Sequence, residues 1–288
     1  MGGGGSKHTS GASPAKLSDA VLADAQKTGS LDVVGFKLTD RLPEAACVTG
    51  VGNIREVLAG FNFFTKLPPN LAVFKNLETL RLEGNVLVDL SDITQILGGM
   101  TGLVELGLNG NALERLPPEF PVAVSRLEKL EIANNKLKSL PSTIGQMIKL
   151  EELSIMGNPL AALPDSFGQL SALEALDASC CELTYLPDEF TKLTRLMELN
   201  LSMNAIEMLP STLGNMTRLV VLHLDDNKLS DIPLSMGFCQ CIEVLSCSRN
   251  PLKDQKLIET LRMPTDRVVI YLETRLQDYF TTQGIVSY

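Results

Sequence analysis

Leu150-Glu-Glu-Leu153-Ser-Ile155-Met-Gly-Asn158-Pro-Leu160-Ala-Ala-Leu163-Pro164 is the stretch that decides the fold. The same pattern returns as Leu219-Val-Val-Leu222-His-Leu224-Asp-Asp-Asn227-Lys-Leu229-Ser-Asp-Ile232-Pro233. Aligned on L-x-x-L-x-L-x-x-N-x-L-x-x-L-P, the asparagine position falls at Asn62, Asn85, Asn111, Asn135, Asn158, Cys181, Asn204, Asn227 and Asn250. Successive spacings are 23, 26 and 24, then 23 throughout. Neither a helical bundle nor a dinucleotide-binding sheet holds one phase over nine copies, so the chain reads as stacked repeats.

The pattern has a physical reading of its own. In L-x-L the two leucines share one face of a strand and point inward, while the residue between them points out. Stacked side by side, such strands make a parallel sheet whose leucine rows merge into one core. The sharp turn after each strand would bury unpaired N–H and C=O groups, and a short amide side chain satisfies both kinds, forming a ladder from repeat to repeat. Proline in the Leu-Pro step fixes φ before the outer segment. No single repeat can bury its own face, so both ends need caps.

Residues 31–252 resemble the leucine-rich-repeat family, which accepts Asn or Cys at the ladder position. The 23-residue length and Leu-Pro step look like the intracellular Ras-suppressor and plant Ras-group type. The resemblance implies an α/β solenoid, a leucine-rich-repeat horseshoe with a parallel concave β-sheet and helical N- and C-terminal caps. The copy at 54–67 is degraded, with Ala59 and Phe64 in leucine positions. Three extra residues around Ser91–Gly102, and one around Pro121–Ser125, are expected on the back or outer loops.

Composition agrees with one small pattern used many times. Leucine accounts for 49 of 288 residues, aromatics for only 5%, and Trp is absent. The 25 Lys and Arg against 34 Asp and Glu give a net charge of −9, which argues against nucleic acid, whose phosphates demand clustered bases. No apolar run reaches the length of a membrane span, and no secretory leader is recognisable. Six cysteines without a paired framework read as reduced thiols in a cytoplasmic protein.

The expected organisation is a leader over 1–16, a cap helix with an incomplete first repeat over 17–53, nine repeats over 54–252, and a helical cap and tail over 253–288. The first cap helix is Leu17–Thr28, with Ser18 as N-cap and Gly29 as stop. The second cap is two helices, Lys253–Arg262 and Asp266–Phe280, split by Pro264. Its apolar set Val268, Val269, Leu272, Leu276, Tyr279 and Phe280 is expected to seal the last coil. The final residues Val286-Ser-Tyr288 match a hydrophobic C-terminal motif only loosely.

Catalytic and metal-binding candidates are few. The two histidines are His8, in the leader, and His223, whose strand position places it beside Asn200 and Ser246 with Asp225 nearby. That trio invites a hydrolase reading, but a smooth paired sheet offers no oxyanion hole, and a solvated or partner-contacting imidazole is preferred. Cys239 and Cys247 fall at core positions and Cys241 faces outward, so they do not converge as metal ligands. Cys180 is expected at the concave surface as a free thiol. No phosphate-binding glycine motif is present, since Gly84, Gly110 and Gly157 precede ladder positions as turn residues. No cofactor is expected.

The outward-facing strand positions are the expected working surface. They carry Glu56, Glu83, Glu105, Glu131, Glu152, Asp177, Glu198, Asp225 and Asp226 against Arg81, Lys129 and Arg249. With Met156, Asn200, Met203, Val221 and His223 interleaved, the segment from Glu131 to Asp226 reads as a binding face for a protein with a basic surface. The alternative is a fixed subunit of a cytoskeletal, axonemal or phosphatase-type assembly. The chain is expected to be monomeric before it meets a partner. Met1-Gly2-Gly-Gly-Gly-Ser6 fits M-G-x-x-x-[ST], which would acylate Gly2 with myristate and give weak membrane contact. The same letters also spell a flexible linker.

Overall fold

The computed structural model describes residues 18–48, 50–263 and 265–283. Ten three-residue strands form one open, parallel sheet in chain order: β1 Ser30–Asp32, β2 Glu56–Leu58, β3 Thr79–Arg81, β4 Glu105–Gly107, β5 Lys129–Glu131, β6 Glu152–Ser154, β7 Ala175–Asp177, β8 Glu198–Asn200, β9 Val221–His223 and β10 Val244–Ser246. The register never slips, so each central residue from Leu31 to Leu245 pairs with its counterpart in the next strand. The central side chains of β1 to β9 point inward and are buried. One continuous cluster runs from Ala25 to Leu272, as stacking of incomplete units requires.

The ladder asparagines do what the turn demands. Asn158 accepts from the Leu137 N–H at 3.1 Å and donates to the carbonyls of Ile132 and Ile155, each at 2.9 Å. The residue just before the ladder is left-handed in all nine repeats, at Phe61, Gly84, Gly110, Asn134, Gly157, Cys180, Met203, Asp226 and Arg249. Glycine fills only three of these nine places, so the turn is imposed by the fold and not by the local residue.

Repeat length sets the back of the solenoid. The later 23-residue copies close with short 3₁₀ segments such as Asp165–Gln169 and Asp188–Lys192, whose Phe167 and Phe190 rings stack at 5.9 Å. The 26- and 24-residue copies instead carry α-helical turns, α2 (Ile93–Leu97) and α3 (Phe120–Ala123). The additional residues allow bonds such as Gly98 N–H to Thr94 C=O at 3.1 Å, four residues apart. The two substituted leucine positions of the second strand's repeat, Ala59 and Phe64, are both fully buried.

The ends are capped by helices. α1 (Asp19–Thr28) packs on β1, with the Ser18 hydroxyl accepting from the Val21 N–H and Gly29 at φ 77° returning its N–H to Ala25. Leu17 lies outside the described residues. At the other end α4 (Gln255–Thr260) and α5 (Thr265–Thr282) close the last coil through Leu257, Val268, Leu272 and Leu276. Tyr279 departs from the expected seal: it is exposed, because the inward stripe steps from 268 to 272 to 276 and on to Phe280. Pro264 and the tail Val286–Tyr288 lie outside the described residues, as do Gly2, His8 and the leader. No described helix is long and apolar enough to cross a membrane.

Candidate partner-binding face

The strand registers turn the concave side into two ordered columns. One reads Glu56, Thr79, Glu105, Lys129, Glu152, Ala175, Glu198, Val221 and Val244. The other reads Leu58, Arg81, Gly107, Glu131, Ser154, Asp177, Asn200, His223 and Ser246. Strand neighbours stand about 4.8 Å apart, so charges within a column interact directly.

Across β3 to β6 the acids are already paired. Arg81 bonds Glu83 at 3.1 Å and also Glu105 and Glu131, while Lys129 lies 3.0 Å from Glu152, 3.7 Å from Glu131 and 4.0 Å from Glu105. Burial would lower the Arg81 pKa, but Glu131, Glu105 and Glu83 outweigh it and hold the guanidinium above its ordinary value. The hydrogen bond that Lys129 donates to Glu152, helped by Glu131 and Glu105, raises Lys129 likewise against desolvation. The alternation that places Arg81 and Lys129 on the same outward face as these acids is the signal in the sequence for this pairing.

From β7 onward the balance changes. Asp177 accepts only from the backbone and hydroxyl of Ser179, at 3.0 and 2.7 Å, and Glu198 makes no ion pair among the described residues. A hollow of about 330 Å³ opens where Ala175 and Ser154 replace longer side chains. Glu131, Glu152, Asp177, Glu198, Asn200, Val221 and His223 line it together with Lys129. The remaining expected residues stand apart from this lining. Asp226 pairs with Arg249, Met156 is half-buried, and Met203 is 60% exposed with its sulfur 3.6 Å from that of Cys180.

Asp225, Ser246 and His223 are adjacent, but in the wrong order for acyl transfer. The Ser246 hydroxyl donates to Asp225 and lies 2.8 Å from His223 Nδ1. With its proton committed to the carboxylate, Ser246 is left accepting from the imidazole, whereas a serine nucleophile must give its proton to the histidine. Asp225 is further occupied by the Ser248 N–H at 2.8 Å. Among the described residues no group of three His, Cys, Asp or Glu side chains is arranged to hold a metal ion. Cys239 and Cys247 are buried and Cys241 is exposed. Burial first pushes the Cys239 thiol up to about 11 and the Cys247 thiol up to about 12.

Known proteins give the same architecture. The leucine rich repeat family profile matches residues 101–160. A leucine-rich-repeat protein of Leptospira interrogans is 28% identical with a TM-score of 0.70, covering 78% of this chain and 56% of that one. The ectodomain of the Arabidopsis thaliana membrane receptor kinase GASSHO1/SCHENGEN3, solved in complex with CASPARIAN STRIP INTEGRITY FACTOR 2, is 27% identical with a TM-score of 0.60, over 77% of this chain and 27% of that one. A probable serine/threonine-protein kinase of Dictyostelium discoideum, pats1, is 31% identical over 120 residues, which are 41% of this chain but 4% of that protein. The chain thus spans about half of the Leptospira protein and a small fraction of the kinase. Over its described residues the chain has the fold of a leucine-rich-repeat solenoid.

Proposed function

We propose that the chain is a non-catalytic interaction module that holds a partner protein against its concave face, over the hollow spanning β5 to β9. The observation that carries this is the contrast along the sheet: Arg81 and Lys129 form ion pairs with the acids of β3 to β6, whereas Asp177 and Glu198 make none among the described residues at the hollow. Such a site favours a partner presenting Lys or Arg. Desolvating a paired acid would forfeit its bond, but an unpaired one gains a partner on binding. The complex of the plant receptor ectodomain with CASPARIAN STRIP INTEGRITY FACTOR 2 supports the use of this fold for holding a partner. The reading extends to the Ras-suppressor type of repeat and to a cytoplasmic, peripherally membrane-associated monomer carrying myristate on Gly2.

Asp177→Arg with Glu198→Arg, in a chain of unchanged thermal stability, is expected to abolish partner capture from the native cell. Capture at undiminished level would overturn the concave-face assignment. Equal membrane flotation of the intact and Gly2→Ala forms would remove the acyl group.

A further inference from the structure

The loop edge beside the concave face carries a second surface of opposite character. Phe61, Phe63, Val86 and Val88 are 68%, 53%, 43% and 53% exposed. They are close in space, because the coils stack there through backbone bonds: Phe63 N–H to Leu38 C=O at 2.7 Å, Val86 N–H to Phe64 C=O at 3.1 Å, and Val88 N–H to Thr65 C=O at 3.1 Å. The same stacking continues through Ala112 and Glu114 to Lys136 and Lys138, whose N–H groups bond Leu113 and Glu114 at 2.9 and 3.4 Å.

Bases surround the apolar group. Lys37, Arg41, Lys66, Arg115, Lys136 and Lys138 lie on these loops of the first coils, all exposed and none in an ion pair among the described residues. Asp40, Asp89 and Glu114 are the acids among them, so six bases face three acids in a chain of net charge −9. Ser91, and beyond it Lys66 and Arg115, hold the Asp89 carboxyl below its ordinary range, which places both bases near it. On the later coils the same loops carry Glu182, Glu207 and Asp231 against Lys228, so the polarity reverses along the edge.

We infer that this loop edge is a docking face for an anionic lipid bilayer. Its apolar side chains are exposed on the rim and ringed by bases without ion pairs among the described residues, a pairing of apolar surface with positive charge that complements an acidic headgroup layer. Projecting Phe and Val side chains suit insertion to about 5–10 Å at a headgroup boundary, while surrounding Lys and Arg are drawn to acidic lipid. The inference uses a different face from the concave proposal and stands or falls separately.

The test uses the full chain as Gly2→Ala, so that no acyl group contributes, with vesicles of phosphatidylcholine alone or mixed with phosphatidylserine. Sedimentation is expected only with the phosphatidylserine vesicles and to weaken as salt rises. Phe61→Ser with Phe63→Ser, and separately Lys136→Glu with Lys138→Glu, should each lower vesicle partitioning about tenfold or more, equivalent to about 1.4 kcal/mol. Both pairs are surface residues, and matching circular dichroism melts verify that the variants fold. Asp177→Arg with Glu198→Arg should not lower partitioning. Equal binding to both vesicle types, unchanged binding by the variants, or capture of a soluble acidic polypeptide with no binding to the phosphatidylserine vesicles, would each overturn the assignment.

Discussion

Arg81 on β3 reaches Glu131 on β5, two strands away, because Gly107 on the strand between them has no side chain. A Cβ built on Gly107 would clash with the Glu83 carboxylate and lie 2.9 Å from Arg81 Cδ. The glycine therefore clears the path for a guanidinium that gathers Glu83, Glu105 and Glu131. Gly107→Val should split this cluster and destabilise the fold by about 1–2 kcal/mol, a typical cost of overfilling a packed site. Chemical denaturation against the wild type checks it.

Removing the hub itself leaves three carboxylates facing one another. Arg81→Met should cost about 2–3 kcal/mol at low ionic strength, below the ~3–5 kcal/mol of breaking a fully buried pair because these side chains stay partly exposed. Added salt should recover part of this loss, since screening weakens the remaining repulsion. A loss that is independent of salt would assign the role of Arg81 to packing of its stem.

The solenoid was legible because one inward row of leucines repeats with the ladder asparagine, and period and alternation are properties of single residues. The concave charge pattern was only half legible. Each acid could be placed on the face, but its pairing depends on reach across strands, as Arg81 over Gly107 shows, and reach is not written in spacing alone. Tyr279 was misplaced for a similar reason: helical periodicity admits either Tyr279 or Phe280 as the fourth inward residue, and the coil that α5 packs against decides which.

Cys181 marks the weakest rung of the ladder. Its thiol donates to Ile155 C=O at 3.2 Å but cannot accept the Leu160 N–H as an amide oxygen does elsewhere. That N–H turns instead to Asn158 C=O at 2.8 Å and Cys181 C=O at 3.1 Å. Ala161 and Glu182 are left-handed, at φ 59° each. Cys181→Asn should restore the rung, relax both neighbours and stabilise by about 1 kcal/mol. The melting midpoint should then rise by about 2–4 °C for a domain of this size.

Thiol chemistry should sort the cysteines by depth. Burial raises Cys181 to about 11, and burial with Glu44 nearby raises Cys47 to about 11. Cys239 and Cys247 are raised in the same way, so these four stay protonated at neutral pH. Cys241 is exposed and Cys180 is half-buried at the concave rim. A native-state reagent at pH 8 should label Cys241 and Cys180 first, half-buried Cys47 more slowly because its thiol is raised, and Cys181, Cys239 and Cys247 only as the chain unfolds. Mass spectrometry of peptides from a time course checks the order.

The C-terminal cap should be the acid-sensitive part of the molecule. Asp254 caps α4 by accepting from the Lys256 and Leu257 N–H groups at 2.9 and 3.1 Å, and its other oxygen accepts from the Tyr271 hydroxyl at 2.7 Å. The Tyr271 bond, then the Leu257 N–H, Arg275 and the Lys256 N–H, hold the Asp254 carboxyl below its ordinary value against the opposing effect of burial. Burial, with Asp254 beside it, pushes Tyr271 up to about 12. A carboxyl whose folded pKa is depressed stabilises fully above its unfolded value of about 3.9, and loses that contribution as pH falls toward the folded pKa. Asp254→Asn keeps a capping oxygen for α4 but removes the charge that the Tyr271 hydroxyl and Arg275 meet, and should therefore cost about 1 kcal/mol at neutral pH, the size of a typical hydrogen bond. The deficit against wild type should shrink as the pH is lowered below about 4. Hydrogen exchange at α4 and α5, followed from neutral to acid pH in both forms, reads this directly. A deficit that stayed constant with pH would mean that the Asp254 charge does not hold the cap.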